Sequence, residues 1–223
     1  MILSSKLLSP GARLVLVGAF IAMIALSAYA WLALPEGPYP VHWDASGQAD
    51  RYGSKAEAVW LLPGIFLFTM TIALVAVHLD PRRRNLEQSR AALSFILGSL
   101  ALVLLAVHGA TIAGALGYDL DVARVVIGAV GLLFAVIGNF LTKARSNFAV
   151  GIRTPWTLSS DEVWRRTHRV GGMAFTATGC LTLLAAILLP LGWAIALLSV
   201  GAAITVLISF AYSWWLYRRE TGG

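Results

Sequence analysis

Apolar residues along the chain are gathered into long stretches that contain no Asp, Glu, Lys or Arg. These stretches cover residues 14–34, 59–79, 91–118, 125–142 and 170–217. A bilayer core is about 30 Å thick, and a helix needs about 20 apolar residues to cross it. The last stretch is long enough for two such helices, and Pro190 and Gly192 near its middle are typical of a turn. The pattern therefore predicts an all-α, polytopic membrane protein with six transmembrane helices.

The composition agrees with a membrane protein and excludes several other classes. Hydrophobic residues make up 58% of the 223 positions and charged residues 13%, against about 45–50% and 25% in soluble domains. The mean hydropathy is +0.77. These values exclude a disordered chain and a nucleic-acid-binding domain. Because Cys180 is the one cysteine, the chain has no internal disulfide and no cysteine-based metal site.

The first apolar stretch resembles a signal peptide in some respects. Lys6 and Arg13 precede it, and Ala28-Tyr29-Ala30 resembles a cleavage site for signal peptidase. The apolar core of a signal peptide is only about 7–15 residues long, however, and this stretch is longer. We therefore expect a retained transmembrane helix.

Basic residues predict the orientation of the six helices. If the N-terminus is cytoplasmic, all of the 17 Lys and Arg residues except Arg51, Lys55 and Arg124 belong to cytoplasmic segments. Cytoplasmic loops of membrane proteins are enriched in Lys and Arg. We therefore expect both termini in the cytoplasm, and the net charge of +6 follows from topology.

Polar residues inside the predicted helices are few. His108 is the main ionisable candidate, and we favour a neutral histidine that is hydrogen-bonded within the bundle over a proton relay. This scarcity argues against a proton-coupled pump. Small residues such as Gly128, Gly131 and Gly138 predict close helix packing, because small side chains let helix backbones approach each other in lipid.

The predicted outer loop between the first two helices, residues 35–57, has two interpretations. His42, Asp44 and Asp50 are residue types that bind metal ions. Alternatively, the two carboxylates bond to local backbone in an ordered turn, while Trp43 and Tyr52 lie at the lipid headgroups. We favour the turn, because one histidine and two nearby carboxylates are a weak metal signal.

The predicted inner loop, residues 143–169, is basic and rich in aromatic residues. Ser159 and Glu162 have the spacing of a capping box, which predicts a helix that begins near Ser160. On this helix Trp164 and His168 share a face. We expect the helix to lie at the inner membrane interface, with its tryptophan among the headgroups and its arginines on anionic lipid. A catalytic role of His168 with Asp161 or Ser160 has little support from spacing alone.

The inner loop resembles the signature of the SdpI family of bacterial membrane proteins. The residues that carry the resemblance are Asn147, Gly151, Ile152, Arg153, Thr154, Pro155, Trp156, Thr157, Trp164, Thr167, His168, Arg169 and Gly172. The outer loop is similar to a domain of unknown function that is often fused in front of that family, through Pro40, His42, Trp43, Gly47, Asp50, Ser54 and Lys55. The resemblance implies three regions: residues 1–60, residues 61–118 with helices two and three, and residues 119–223 with the SdpI-like helices four to six.

The resemblance also implies a function. The best-known member of the family is an immunity protein that protects a bacterium from its own secreted peptide toxin. It also draws a transcriptional repressor to the membrane when toxin is present. We therefore expect a toxin-resistance protein of the bacterial cytoplasmic (inner) membrane. Its expected partners are the lipid bilayer, a peptide toxin at the outer loop and a repressor or lipid at the inner loop. We expect no enzymatic activity, no metal, no cofactor and no direct contact with nucleic acid.

Two other functions remain open on the sequence. The chain is alternatively a small transporter or lipid-handling protein, with the inner arginines on phosphate headgroups. The third alternative is a membrane enzyme that uses His168 or His42. We rank them below immunity in that order, because neither has a recognisable site.

Overall fold

The computed structural model describes residues 7–222, so Lys6 lies outside the described residues. Its elements in chain order are α1 (Pro10–Ala33), β1 (Tyr39–Trp43), β2 (Ala49–Gly53), α2 (Lys55–Leu79), α3 (Arg83–Gln88), α4 (Arg90–Ala115), α5 (Val122–Leu141), α6 (Pro155–Ser159), α7 (Asp161–Leu188) and α8 (Leu191–Glu220). Helices α1, α2, α4, α5, α7 and α8 are 20 to 30 residues long and apolar enough to cross a membrane. The prediction of an all-α polytopic protein with six such helices is confirmed.

Short polar side chains fix where most of these helices begin. Ser9, Ser54, Asp121 and Ser160 precede α1, α2, α5 and α7, and each accepts a hydrogen bond from a backbone N–H of the first turn. These bonds satisfy donors that have no partner within the helix. The predicted turn at Pro190 is confirmed, since α7 ends at Leu188 and α8 begins at Leu191.

The six long helices form two groups of three. Helices α1, α2 and α4 pack together in the first group, and α5, α7 and α8 pack in the second. Contact between α4 and α5 joins the groups. Buried residues of the first group form an apolar core that includes Leu16, Met23, Phe66, Met70 and Leu97.

Glycines bring the backbones of α5 and α7 into contact. A Cβ atom on Gly179 would lie 2.3 Å from the backbone nitrogen of Ala135, and one on Gly138 would lie 2.5 Å from that of Thr176. On Gly131 it would lie 2.9 Å from the nitrogen of Leu183. The prediction that Gly131 and Gly138 serve helix packing is therefore confirmed.

The buried histidine of α4 bonds within the first group. His108 is fully buried, and its Nε2 lies 3.0 Å from the Ser27 hydroxyl of α1. That hydroxyl donates to the carbonyl of Val59 on α2 at 2.8 Å. Because the hydroxyl proton is used, His108 Nε2 is the donor, and the predicted hydrogen bond within the bundle is confirmed.

The segment between α1 and α2 is an antiparallel β-hairpin. Tyr39 pairs with Gly53 and Trp43 with Ala49, and the pairing is irregular around His42. Asp44 bonds to local backbone as predicted, but the expectation that Asp50 does so is wrong, because its carboxylate lies against the His42 side chain. The sequence interpretation also did not include the two strands.

The predicted start of a helix near Ser160 is confirmed, since α7 begins at Asp161, but two other expectations for residues 159–169 are wrong. The predicted interfacial helix is the first part of α7, which continues without a break to Leu188. Trp164 is only 2% exposed, so it is not among lipid headgroups. The predicted capping box of Ser159 is also absent: Ser160 caps α7 by accepting from the N–H of Val163, and Ser159 instead donates to the carbonyl of Pro155. Packing against α5 and α8 draws this segment into the bundle.

Candidate functional site

The two ends of the helix bundle differ in charge. We call the end with the β-hairpin and residues 116–121 the hairpin end, and the end with residues 80–89 and 142–160 the loop end. The hairpin end carries the acidic residues Glu36, Asp44, Asp50, Glu57, Asp119 and Asp121 against the bases Arg51, Lys55 and Arg124. The loop end carries nearly all other basic residues. Cationic ligands are therefore favoured at one end and anionic ligands at the other.

Asp80, at the end of α2, organises the loop end. Its side chain is 6% exposed. One carboxylate oxygen accepts from the backbone N–H of Arg82 at 2.7 Å. The other accepts from the N–H groups of Phe148 and Ala149 at 2.7 and 2.8 Å. The carboxylate thus fixes the path of residues 146–150 against α2.

Asn147 stabilises the same turn through hydrogen bonds to its neighbouring backbone. It is fully buried, and its side-chain oxygen accepts from the backbone N–H groups of Ala149 and Val150 at 2.9 and 2.7 Å. Its amide nitrogen donates to the carbonyl of Arg145 at 2.7 Å. All of these partners are local backbone, so the residue shapes the loop.

Trp164 and His168 hold the next part of the loop against α7. Their rings stack with centroids 3.8 Å apart. The indole N–H donates to the carbonyl of Ala144 at 2.8 Å. His168 lies between two backbone groups: Nδ1 is 2.8 Å from the carbonyl of Trp164, and Nε2 accepts from the N–H of Ile152 at 2.9 Å. These partners require the neutral imidazole with its proton on Nδ1.

Gly151 is the residue that lets the loop pass over these rings. Its φ is +135°, and a Cβ atom would lie 2.5 Å from His168 Nε2 and 2.7 Å from the Trp164 ring. Any side chain would be strained by the backbone angle and would collide with both rings. The glycine of the motif is therefore set by sterics.

A capping box begins α6, and its Thr154 also bonds to α8. Thr154 accepts from the N–H of Thr157 at 3.2 Å, and the Thr157 hydroxyl accepts from the N–H of Thr154 at 2.9 Å. Thr154 also donates to Ser213 of α8 at 3.1 Å. Pro155 is the first residue of α6, and the ring of the half-buried Trp156 packs edge-on against Phe210, 4.9 Å between centroids.

The exposed part of the loop end is basic. Arg153 and Arg169, both of the inner-loop motif, are exposed, as are Arg165 and Arg166. Arg153 donates to the carbonyl of Phe148, while Arg165 and Arg166 pair with Glu162. The motif thus divides into residues that build the loop and exposed arginines, of which Arg153 also bonds to the loop backbone.

The tip of the β-hairpin is a tight turn around Asp44. One carboxylate oxygen of Asp44 accepts from the Ser46 hydroxyl at 2.7 Å and from the N–H groups of Ser46 and Gln48 at 2.8 and 3.0 Å. Gly47 has a φ of +86°. The hydrogen bond of the Ser46 hydroxyl, followed by that of the Gln48 N–H, lowers the pKa of Asp44 below its ordinary value of 3.8.

The remaining outer-loop residues hold the two strands together and join the hairpin to α2. His42 Nδ1 lies 2.6 Å from Asp50 across the strands, and both side chains are exposed. Pro40 pairs with Tyr52. Ser54 caps α2, and the buried ammonium of Lys55 lies 3.4 Å from Glu36 and 4.8 Å from the centre of the Trp31 ring.

A cavity of about 370 Å³ lies beneath the hairpin, between the two groups of helices. Its inner wall is apolar and comes from α2, α4, α5 and α8, and the side chains near its mouth are those of His42, Trp43, Asp44 and Glu57. The cavity occupies space between α2 and α5.

The hairpin reaches across to the second group of helices. A Cβ atom on Gly47 would lie 3.4 Å from the side chain of Leu191 and 3.5 Å from that of Asp121. Arg124 of α5 pairs with Asp121 and donates to the carbonyls of Ala186 and Leu189 at 2.7 and 2.9 Å. The hairpin tip therefore lies close to the N-terminal ends of α5 and α8.

The structure places the predicted site residues at opposite ends of the bundle. The inner-loop residues lie at the loop end, and the outer-loop residues lie at the hairpin end. The structure also shows further residues that contact the inner loop. Sequence reasoning missed Asp80 and Ser213, which bind the inner loop. A lone acid followed by Pro81 and three arginines was a visible signal for Asp80, whereas Ser213 lies in an apolar stretch that offers none.

The arrangement offers little for metal binding or proton transfer. Within residues 7–222 no group of three His, Cys, Asp or Glu side chains converges on a metal position. Both ring nitrogens of His168 bond to backbone groups, and the Ser160 hydroxyl caps α7. His168 therefore has no free nitrogen to accept a proton from Ser160.

Comparison with known proteins identifies both loop regions. Residues 143–213 match the model of the SdpI/YfhL protein family, and residues 18–67 match a domain of unknown function, DUF1648. The chain is 24% identical over 161 residues to the Immunity protein SdpI of Bacillus subtilis (strain 168), a match that covers 72% of each chain. No solved structure matches the chain significantly. The resemblance inferred from the two loops is confirmed: one region of the chain is similar to DUF1648 and another to the SdpI/YfhL protein family.

Proposed function

We propose that the chain is an immunity protein of the bacterial cytoplasmic membrane that gives resistance to a secreted peptide toxin. In this proposal the hairpin end faces outward, both termini are cytoplasmic, and the protein acts without enzymatic chemistry. The observation that carries the proposal is the match over 72% of the chain to an immunity protein. The opposite charge of the two ends supports the orientation, because basic residues are enriched on the cytoplasmic side.

A route from the hairpin to the loop end supports a further, signalling role. The hairpin tip at Gly47 lies beside Leu191 and Asp121, and α7 is one continuous helix from the hairpin end to the rings of Trp164 and His168. We propose that toxin at the hairpin shifts α7 and moves the exposed arginines of residues 153–169, which then recruit a cytoplasmic repressor. Such a switch needs two conformations with different affinity for the toxin.

Survival of a toxin-sensitive bacterium tests the immunity proposal. Cells that produce the wild-type chain are titrated with the secreted peptide toxin of a bacterium that carries an SdpI-family protein. Wild type is compared with Arg153→Ala, an exposed position of the motif, at equal membrane abundance. Arg84→Ala is the matched control, because Arg84 is also exposed at the loop end but lies outside the motif.

Each outcome has a separate meaning. We expect wild type and Arg84→Ala to protect and Arg153→Ala to lose protection. Protection by all three variants would keep immunity and remove Arg153 from its mechanism. If wild type gives no protection, the immunity proposal fails for that toxin.

The signalling role has its own test. In a Cys180→Ser background, Arg169→Cys places a thiol on the exposed face of α7, and its labelling rate is measured with and without toxin. We expect toxin to change this rate, whereas a cysteine in place of Arg84, which is exposed at the loop end outside α7, should keep its rate. Equal rates at position 169 would argue against movement of the loop.

A lipid-handling function is the second candidate, and one observation favours it. A polar cavity of about 430 Å³ at the loop end is lined by residues that include Lys143, Arg145 and Arg165. Such a cluster of cations suits a phosphate headgroup. Transfer of labelled phospholipid between leaflets of proteoliposomes, lost in Arg145→Ala, would favour this function over immunity.

A further inference from the structure

The cavity beneath the hairpin combines an apolar interior with an acidic mouth. Its interior includes Leu61, Leu62, Ile65, Val126 and Ile127. Leu61 and Ile65 remain 44% and 39% exposed, so the cavity leaves apolar surface of α2 without a protein partner. Its volume of about 370 Å³ lies at the lower end of the range for ligand pockets, about 300–1,000 Å³.

Asp44 provides a carboxylate oxygen at the mouth of this cavity. All three hydrogen bonds of the turn go to Oδ1, and Oδ2 has no hydrogen-bond partner in the described part of the chain. The bonds to Oδ1 lower the pKa of Asp44, so the carboxylate is ionised at neutral pH. One oxygen therefore holds the turn while the other remains available.

The other charged groups at the mouth are paired with each other. Glu57 lies 2.7 Å from Arg51, and Asp50 lies 2.6 Å from His42. Over residues 7–222, Asp44 forms no ion pair with Lys, Arg or His. Asp44 is therefore a carboxylate at the mouth that no Lys or Arg side chain of the described residues neutralises.

We propose that this cavity binds an amphipathic peptide whose apolar side chains fill the space between α2 and α5 and whose lysine or arginine donates to Asp44 Oδ2. The inference rests on the proposed immunity function and deepens it, since it gives a toxin its binding site and states the chemistry that the site recognises. Apolar burial supplies affinity, and the carboxylate selects for a cation.

The charge at the mouth favours a cationic peptide over an anionic phospholipid. An acyl chain fits the apolar interior equally well. The phosphate of its headgroup would then lie near Asp44 and Glu57, and like charges at a binding site disfavour a ligand. A cationic side chain meets the opposite sign.

Direct binding tests the site without an assumption about the natural toxin. The wild-type chain in nanodiscs is titrated with a short fluorescent peptide of leucines and alanines that contains one lysine. A second peptide has glutamate in place of lysine, and empty nanodiscs give the background. We expect saturable binding of the lysine peptide, at least about fivefold tighter than that of the glutamate peptide.

Three variants locate the binding. Asp44→Asn keeps an acceptor oxygen for the turn but removes the charge, and we expect about fivefold weaker binding of the lysine peptide. Val126→Phe fills the cavity from α5 and should abolish saturable binding. Leu132→Phe makes a similar change on a part of α5 that is 49% exposed and does not line the cavity, and should bind like wild type. If Val126→Phe does not fold, Ile65→Phe fills the cavity from the exposed face of α2.

Several results would overturn the site. Equal binding of the two peptides would do so, as would unchanged binding by both cavity-filling variants. Native mass spectrometry that finds a phospholipid held by wild type and lost from Val126→Phe would do so as well. Survival assays separate this inference from the immunity proposal. Protection by wild type and equally by Val126→Phe overturns the site and leaves immunity standing, whereas Asp44-dependent peptide binding by a chain that does not protect supports the site and overturns immunity.

Discussion

His168 accepts a hydrogen bond from the backbone N–H of Ile152 at 2.9 Å, and this bond ties the inner loop to α7. The histidine is 1% exposed, and its other nitrogen bonds to the carbonyl of Trp164. A residue that suggested chemistry or headgroup contact in the sequence is thus part of the framework of the loop end.

His168→Ala should destabilise the fold. The change removes two buried hydrogen bonds and the stacking against Trp164, and we expect a loss of about 2–4 kcal/mol in the free energy of unfolding. Denaturant titration in detergent measures it. His78→Ala, at an exposed position, is the control and should cost less than about 0.5 kcal/mol. Equal stability of the two variants would contradict the framework role.

Gly151→Ala should disturb the same region by a steric route. The added Cβ atom would lie 2.5 Å from His168 Nε2 on a backbone with a φ of +135°, which predicts a loss of about 2–3 kcal/mol. Gly109→Ala on α4 is the matched change, because a Cβ atom there meets nothing within 4 Å. A thermal unfolding midpoint of Gly151→Ala at or above that of Gly109→Ala would refute this reasoning.

Gly179→Ala should separate α5 from α7. The new methyl group would lie 2.3 Å from the backbone nitrogen of Ala135 and 2.4 Å from the carbonyl oxygen of Gly131. Because backbone atoms cannot turn aside as a side chain does, the helices must move apart, and we expect a loss of about 1–3 kcal/mol. The measurement is denaturant titration with Gly18→Ala as control, since that position is open. Gly179→Ala should have a clearly lower free energy of unfolding than Gly18→Ala, and equal values would contradict this reasoning.

Asp80→Asn should loosen residues 146–150. Each carboxylate oxygen accepts from backbone N–H groups, so the amino group of asparagine would face a donor whichever way the amide turns. We expect a loss of about 1–3 kcal/mol and faster hydrogen exchange at Phe148 and Ala149. Glu87→Gln, at a half-exposed residue in an ion pair with Arg83, should leave this exchange unchanged. Unaltered exchange in Asp80→Asn would show that the loop does not depend on the carboxylate.

Acid should weaken the hairpin turn through Asp44. The Ser46 hydroxyl bond depresses the pKa of Asp44 in the folded chain. The carboxylate therefore stabilises the turn above its ordinary pKa of 3.8, and this contribution is lost as the pH falls through the lower folded value. Chemical shifts of the Ser46 and Gln48 amides over this range report the change. Asp44→Asn should abolish the transition, and a transition above pH 3.8 would contradict the sign.

The structural roles of the inner-loop residues could be assigned only from the folded structure. The resemblance of residues 147–172 to a family was readable from the chain, since it depends on residue identity and order. The role of each residue was not, because Asp80 and Ser213 contact Ala149 and Thr154 across 69 and 59 residues of sequence. The local sequence does not show which distant residue such a side chain will bond to.

The sequence by itself determined the number of long helices and the turn at Pro190, because a helix that crosses lipid requires a long uncharged stretch and proline interrupts one. It also determined the opposite charge of the two ends. Only the tertiary structure decided that α7 continues without a break from Asp161 to Leu188, that Trp164 is buried, and that a hairpin covers a cavity between α2 and α5. These features depend on which helices pack together, and packing is set by distant side chains that meet only in the folded chain.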